Sequence, residues 1–324
     1  MKLQNENDFK SWLSAYIYFK GNIYEKDCDK IILEVVEPFI IRCKRQNLFE
    51  KYFFIRFSEF GSHIRLRFYG NSRILEDKIK PMFKDYISSF KDQELFALPN
   101  NVLSNSSQTP LLWVPYEPEL KRYGGIDAVK IAEDYFYYSS KTAIKLIKKI
   151  PDGEYSLRMG KGLLTTSILL FSFFRDKKKA IDFIKVYCTS YLRALTNTKE
   201  FAAYLTEAFN KAYDNQSQTL IEYINSTWEC LKCGESLSEE LDEYYLSLTK
   251  GYDKLKWLAL RKKVYGNNDL LLSWWDSKIF LLPSYLHMMN NRLGISIKDE
   301  SYLSHLIFKA LNYEFKMENE IANV

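Results

Sequence analysis

The run His63-Ile-Arg-Leu-Arg-Phe-Tyr69 alternates polar and apolar side chains. In a strand, Ile64, Leu66 and Phe68 share one face, while His63, Arg65, Arg67 and Tyr69 share the other. A second short run, Tyr52 to Glu59, precedes it, and Phe60-Gly61 between them suits a tight hairpin because glycine takes positive φ without strain. A turn of those two residues pairs Phe57 with Ile64 and Ile55 with Leu66, and sets Arg56 directly opposite Arg65. Like charges facing each other across a ladder are destabilising. Arg56, Arg65 and Arg67 beside His63 therefore require an anion, either an internal carboxylate such as Glu59 or a bound carboxylate or phosphate.

Two further segments combine unusual backbone with polar groups. Val114-Pro-Tyr-Glu-Pro-Glu-Leu-Lys-Arg-Tyr-Gly-Gly125 runs from a strand end through prolines and charges into a double glycine ahead of a helix. Glycine allows close backbone approach, and a helix N-terminus offers free N–H groups to an anion. Glu119 and Arg122 pair if that piece turns; the alternative is a proline-stiffened connector carrying an exposed ion pair. Leu281 to Gly294 reads as a largely apolar helix closed by glycine at its C-cap. Ser284, His287 and Asn291 lie along one side of it, at i, i+3 and i+7. His287 is then either a hydrogen-bonded core imidazole or, beside a cleft, a proton shuttle.

The elements that must position these groups follow from periodicity. Trp12 to Phe19 reads as a strand ending in a turn at Lys20-Gly21, and Asp27 to Gln46 as a helix kinked at Pro38. After the hairpin come a helix from about Arg73 to Phe90, a polar stretch over Asn100 to Thr109, and a strand at Leu111 to Val114. The order β, α, β, β, α, β is that of a ferredoxin-like, split βαβ unit. From Ile126 onward, long helical periodicities dominate. The fold class expected is α+β: an α+β sheet part over residues 1–120 carrying the arginine face, and a mainly helical part over 121–324 carrying His287, packed together as one unit.

Composition narrows the function classes. The 46 basic residues are interspersed with 41 acidic ones, so the net charge of +5 forms no basic block and gives no indication of nucleic acid binding. The 24 tyrosines and 22 phenylalanines sit at strand and helix spacings, as core residues do. No apolar stretch follows a basic start, and no run approaches the roughly 18 uncharged apolar residues of a membrane span, so the expected compartment is the cytoplasm. Five cysteines, an odd number, fit a reducing compartment, and the lone pair Cys230 and Cys233 lacks the second pair of ligands a structural zinc needs. No metal or organic cofactor is expected.

Together the three segments resemble a known family. Phe53-Phe-Ile-Arg-Phe, then His63-Ile-Arg-Leu-Arg-Phe68, is similar to the "FFIRY, then HLRLR" signature of the lanthipeptide dehydratase C-terminal elimination domain, also described as the thiopeptide-type bacteriocin biosynthesis domain. Tyr116 to Gly125 resembles its "YxPExxRYGG" loop, followed by Ala132-Glu-Asp-Tyr-Phe136 where the family has "AExxF". His287-Met-Met-Asn-Asn-Arg-Leu293 resembles its "HMxxNRL" helix, while Ser139 stands where the family often has aspartate. The resemblance implies a lyase-type enzyme that expels glutamate from glutamylated serine or threonine in a precursor peptide, leaving a dehydroamino acid. Carried over by position, His287, Arg67 and Arg122 are the expected catalytic residues, and Arg65, Glu119, Arg56 and His63 the expected substrate-binding ones. The implied partners are the precursor peptide and a separate glutamylating subunit, with no direct nucleic acid contact and no membrane span. Two alternatives stay open: a thiopeptide pyridine-forming cyclase, which joins two dehydroalanines, and a non-catalytic subunit that binds a leader peptide.

Overall fold

The computed structural model describes residues 9–90, 93–99, 109–195 and 198–322, so most of the polar stretch over Asn100 to Thr109 lies outside the described residues. The chain divides into two compact units, one formed by residues 1–119 with 136–153, the other by 120–135 with 154–324. The helix that opens at Ile126 thus contributes to both, which a single boundary at 120 does not anticipate.

The first unit is built on four strands, β1 (Lys10–Tyr18), β2 (Lys51–Phe57), β3 (His63–Asn71) and β4 (Leu111–Trp113), in the order β2-β3-β1-β4 with every neighbouring pair antiparallel. Period-2 alternation gives the sheet an apolar face, where Leu13, Ala15 and Ile17 pair with Phe68, Leu66 and Ile64. Two helices, α1 (residues 26–45) and α2 (residues 72–88), contribute Ile31, Ile32, Val35, Val36, Phe39, Leu75, Ile79 and Phe83 to the same buried core. Phe39 packs on Phe68 and Phe83, with ring centroids 6.0 and 4.4 Å apart. Each helix contains one π turn, Ile31–Val36 and Leu75–Ile79, shortly before a proline, Pro38 and Pro81. Proline lacks the N–H and clashes with the carbonyl four residues back, and a widened turn accommodates that mismatch. This π turn is what the structure shows where the sequence suggests a kink at Pro38.

The β2 edge is covered rather than open. Phe54 N donates to Ser140 Oγ at 3.2 Å, and Phe136 and Tyr137 pack on Phe53 and Tyr52, all from the second half of α3 (Ile126–Ile147).

The hairpin departs from expectation by one residue. Phe57 pairs with His63, so residues 58–62 form the loop, with Phe60 and Gly61 both at positive φ. A one-residue slip moves every side chain of a strand to the opposite face. Ile55, not Arg56, lies opposite Arg65, and Arg56 joins Ile64 on the apolar face. There it is fully buried; its Nη2 lies 2.6 Å from Asp29 Oδ1, and its Nη1 donates to the Ile23 carbonyl at 2.9 Å. Arg56 is therefore corrected from an anion-binding residue of the polar face to a buried tie between β2 and the first turn of α1.

The second unit is helical: α4 (Tyr155–Phe174), α5 (Lys177–Leu195), α6 (Lys199–Asp214), α7 (Ser217–Cys233), α8 (Glu239–Leu260), α9 (Trp274–Leu293) and α10 (Ile297–Ala322), with the first turns of α3. Helix α4 packs on α7, α8 and α9, and α10 lies along α5 and α7. Among the described residues α4 is long and apolar enough to cross a membrane by length and composition, although Arg158 and Lys161 interrupt its uncharged run; 72% of its apolar window is buried within the protein. Cys230 and Cys233 occupy the last turn of α7, capped by Gly234 in the left-handed conformation.

Arg56→Ala is expected to lower unfolding stability by about 3–5 kcal/mol, because it strands a carboxylate whose partner was buried. Removing Lys10 from the exposed pair it forms with Glu50 should cost under about 1 kcal/mol. Urea unfolding of both variants measures the difference.

Candidate active site

On the polar face of the sheet, β3 lies between two rows of residues, four of the six nearest being aromatic. Arg67 pairs with Ser14 on β1 and Phe53 on β2, Arg65 with Tyr16 and Ile55, and His63 with Tyr18 and Phe57. The Arg65 guanidinium carbon sits 3.4 Å from the Phe57 ring centroid and 4.8 Å from that of Tyr16, while Glu59 Oε2 lies 3.7 Å from its Nη2. Arg67 lies over Phe53 and Tyr116 at 5.0 and 4.8 Å. Its Nε is sealed from water and has no hydrogen-bond partner. Burial holds its pKa below the ordinary arginine value, opposed by the Tyr116 and Tyr16 hydroxyls and the Glu119 carboxylate, with Arg65 adding repulsion. A desolvated guanidinium with an unused donor favours binding of an anion.

His63 is buried among Tyr16, Tyr18 and Phe57. Its Nδ1 donates to the Gly61 carbonyl at 2.9 Å, which leaves Nε2 to accept from Arg65 Nε at 3.1 Å. Both ring nitrogens are thus engaged, and what His63 does here is aim Arg65. Burial pushes its pKa down to about 4, so it is neutral near pH 7.

In the helical unit, Gly124 and Gly125 at φ +81° and +100° form a tight turn, with Gly125 N donating to Leu120 O at 2.8 Å and Tyr265 N to Gly124 O at 3.0 Å. A side chain at Gly124 would meet Val264 at 2.9 Å, so both conformation and space require glycine. The turn presents Arg122, whose Nε donates to Ser284 Oγ on α9 at 3.0 Å. Tyr135, in the first half of α3, stacks on Tyr285 at 4.5 Å and donates to its carbonyl at 2.6 Å, tying the helix after the turn to α9.

One helical turn beyond Ser284, His287 Nδ1 lies 2.8 Å from Glu300 Oε1, and Tyr187 on α5 donates to Glu300 Oε2 at 2.9 Å. The Glu300 side chain is 0% exposed against 20% for His287. Burial pushes the Glu300 carboxyl up, opposed by the hydrogen bonds from His287 and Tyr187 and by the charge of Arg122. Sequence reasoning missed both Glu300 and Tyr187. Asp299 and Glu300 are adjacent carboxylates in the first turn of α10, where acidic residues commonly serve the helix dipole, and nothing local separates them. Asp299 bonds to Ser296 at the cap; Glu300 turns inward.

The candidate residues thus form two groups, Arg65, Arg67, His63 and Glu119 in the sheet unit, and Arg122, Ser284, His287, Glu300 and Tyr187 in the helical unit. Arg56 joins neither.

A charged loop running into a double glycine, a paired-arginine strand and an oriented helical histidine, on this α+β architecture, define a class that comparison with known proteins identifies. Residues 12–311 match the family described as lantibiotic biosynthesis dehydratase, C-terminal, and the chain belongs to that family. It is 31% identical over 148 residues to the epidermin biosynthesis protein EpiB of Staphylococcus epidermidis, covering 45% of this chain and 13% of that one. It is 24% identical over 287 residues to the subtilin biosynthesis protein SpaB of Bacillus subtilis, covering 88% and 24%. The chain therefore spans a quarter or less of these relatives' length. Among solved structures it superposes on the pyridine synthase TbtD from thiomuracin biosynthesis (TM-score 0.71, 14% identity, 92% of this chain and 97% of that one). It also superposes on the tRNA-dependent lantibiotic dehydratase MibB of Microbispora sp. 107891 (0.65, 17%, 98% and 29%). At such identities these two likenesses establish a shared fold.

The buried neutral His63 makes a pH-dependence prediction. An unfolded imidazole binds a proton below about pH 6.5 whereas the folded one resists until about 4, so the unfolded state holds more protons in that window and stability falls as pH drops through it. The His63 share is up to about 3 kcal/mol at the acid end. Urea unfolding at pH 7 and pH 4.5 should show a smaller loss in His63→Gln than in the wild type.

Proposed function

We propose that this protein eliminates glutamate from glutamylated serine or threonine residues of a precursor peptide, leaving dehydroamino acids. The observation that carries this is the Arg67 guanidinium, stacked on two aromatic rings with a buried Nε that has no partner, beside an Arg65 aimed by His63. Such a face suits the carboxylates of a departing glutamate. Membership of the dehydratase C-terminal family supports the same chemistry, and the strand order β2-β3-β1-β4 supports a ferredoxin-like, split βαβ assignment of the sheet unit.

In the reaction, the Cα–H bond of the glutamylated residue breaks, the electron pair forms the Cα=Cβ double bond, and the Cβ–O bond breaks to release glutamate. Negative charge builds on the neighbouring amide oxygen and on the leaving carboxylate. Guanidinium groups stabilise both, each charge-assisted hydrogen bond contributing about 1.5–3 kcal/mol. We assign His287 to proton transfer, Arg67 and Arg122 to charge stabilisation, and Arg65 and Glu119 to substrate binding. The partners that belong to this proposal are the precursor peptide and a separate glutamylating subunit. We propose the cytoplasm as the site of action, a compartment in which the free thiols Cys28, Cys43 and Cys188 would stay reduced.

Glutamate should raise the melting temperature of the wild type, by mass action of a ligand that binds only the folded state, and Arg67→Ala should abolish the shift while Leu66 and Phe68 keep the sheet in place. An unshifted wild type at high glutamate would argue against a carboxylate site.

Incubated with a peptide glutamylated on serine or threonine, the wild type should release glutamate and form dehydroamino acids, and should leave the unmodified peptide untouched. His287→Ala should slow the step by about a hundredfold to ten-thousandfold. Arg122→Lys should also be impaired, since lysine lacks the planar fork of arginine. Mass spectrometry follows both. Conversion of a peptide carrying two dehydroalanines into a pyridine, with glutamylated peptide untouched, would replace elimination by cyclisation.

A further inference from the structure

We infer that Glu300 is the positioning residue for His287, fixing the imidazole tautomer that makes Nε2 the atom exchanging protons with substrate, and that Tyr187 holds Glu300 in place. This rests on His287 as the proton-transfer residue of the proposed elimination.

Two hydrogen bonds converge on one fully buried carboxyl group, from Tyr187 to Oε2 and from His287 Nδ1 to Oε1. Three features favour the ionised form against burial: both oxygens are met by groups able to donate, Arg122 adds positive charge, and the residue sits in the first turn of α10, where the helix dipole favours an anion. A carboxylate has no proton to give, so Nδ1 must supply the one in the 2.8 Å contact. Neutral His287 then carries its hydrogen on Nδ1 and leaves Nε2 unprotonated. That arrangement makes it a base. Nε2 takes the α-proton, the Cα–H pair becomes the new double bond, glutamate departs with the Cβ–O pair, and the imidazolium, stabilised by Glu300, returns the proton to the released carboxylate or to solvent. The opposite tautomer presents a filled N–H to the substrate and takes nothing.

The chain has three histidines, which makes the test tractable by nitrogen NMR of the histidine-labelled full chain, with the His287 signals assigned by their loss in His287→Gln. At a pH where the imidazole is neutral, the wild type should show a protonated Nδ1 and an unprotonated Nε2. Glu300→Gln should move the proton toward Nε2, because the amide can donate to Nδ1. The same variant should lower kcat on glutamylated peptide by about a hundredfold or more, as expected for a misdirected base, while KM changes little. Tyr187→Phe keeps the side-chain volume and serves if Glu300→Gln does not fold. With one hydrogen bond fewer on the carboxylate, it should show the same redistribution more weakly and an approximately tenfold loss in kcat. A wild-type His287 already protonated on Nε2, or a tautomer unmoved in both variants, overturns the assignment. A wild type with the Nδ1–H tautomer and its switch, yet inert on glutamylated peptide, upholds the role of Glu300 and removes elimination instead.

Discussion

The pairing of Phe57 with His63 sets which side chains of the sheet see one another, and the chemistry of the first unit depends on it. Because strand side chains alternate, this register places Phe53, Ile55 and Phe57 beside Arg67, Arg65 and His63, and places Arg56 among Ile64, Leu66 and Phe68 on the other side. The polar face thus carries two guanidinium groups flanked by aromatic rings. The third is used internally: Arg56 and Asp29 form a buried pair whose cost of desolvation is met by good geometry and a further hydrogen bond to Ile23. Had the register slipped, three arginines would share one face and the apolar face would lose its ion pair.

Among the candidate site residues, each unit brings a desolvated charged group, and the two are of opposite sign. In the sheet unit it is the Arg67 guanidinium, dressed by Phe53 and Tyr116 and lacking a hydrogen bond at Nε. In the helical unit it is the Glu300 carboxylate, dressed by Tyr187 and His287. The two differ in what they ask of their surroundings. Glu300 has its partners within the fold, so it orients; Arg67 keeps a donor unused, so it favours an incoming anion.

A fold shared with a pyridine synthase and with a lantibiotic dehydratase does not choose between their reactions, since the same scaffold supports different chemistry through the side chains grafted on it. The proposed elimination draws its support from an anion-seeking arginine face in the sheet unit and, in the helical unit, from an arginine held by Ser284 and an imidazole held by a buried carboxylate.

From the amino-acid sequence alone, the alternation over His63 to Tyr69, the double glycine at 124 and 125 and the helical spacing of Ser284 and His287 were legible, because each is a periodicity or a conformational demand within a few residues. The order of strands and helices followed for the same reason, as did the family signature. The hairpin register was not, because a glycine marks a turn without fixing its length, and the pairing of Phe57 with His63 makes a five-residue loop where a two-residue turn was expected. Nor was the division of the helix after the double glycine between two units, which depends on what packs against each half. Glu300 and Tyr187 were invisible, since one of two adjacent carboxylates turns inward only when α5, α9 and α10 are brought together around it. Local conformation is written in neighbouring residues; the partner of a buried charge is decided by chain segments that meet only in the folded protein.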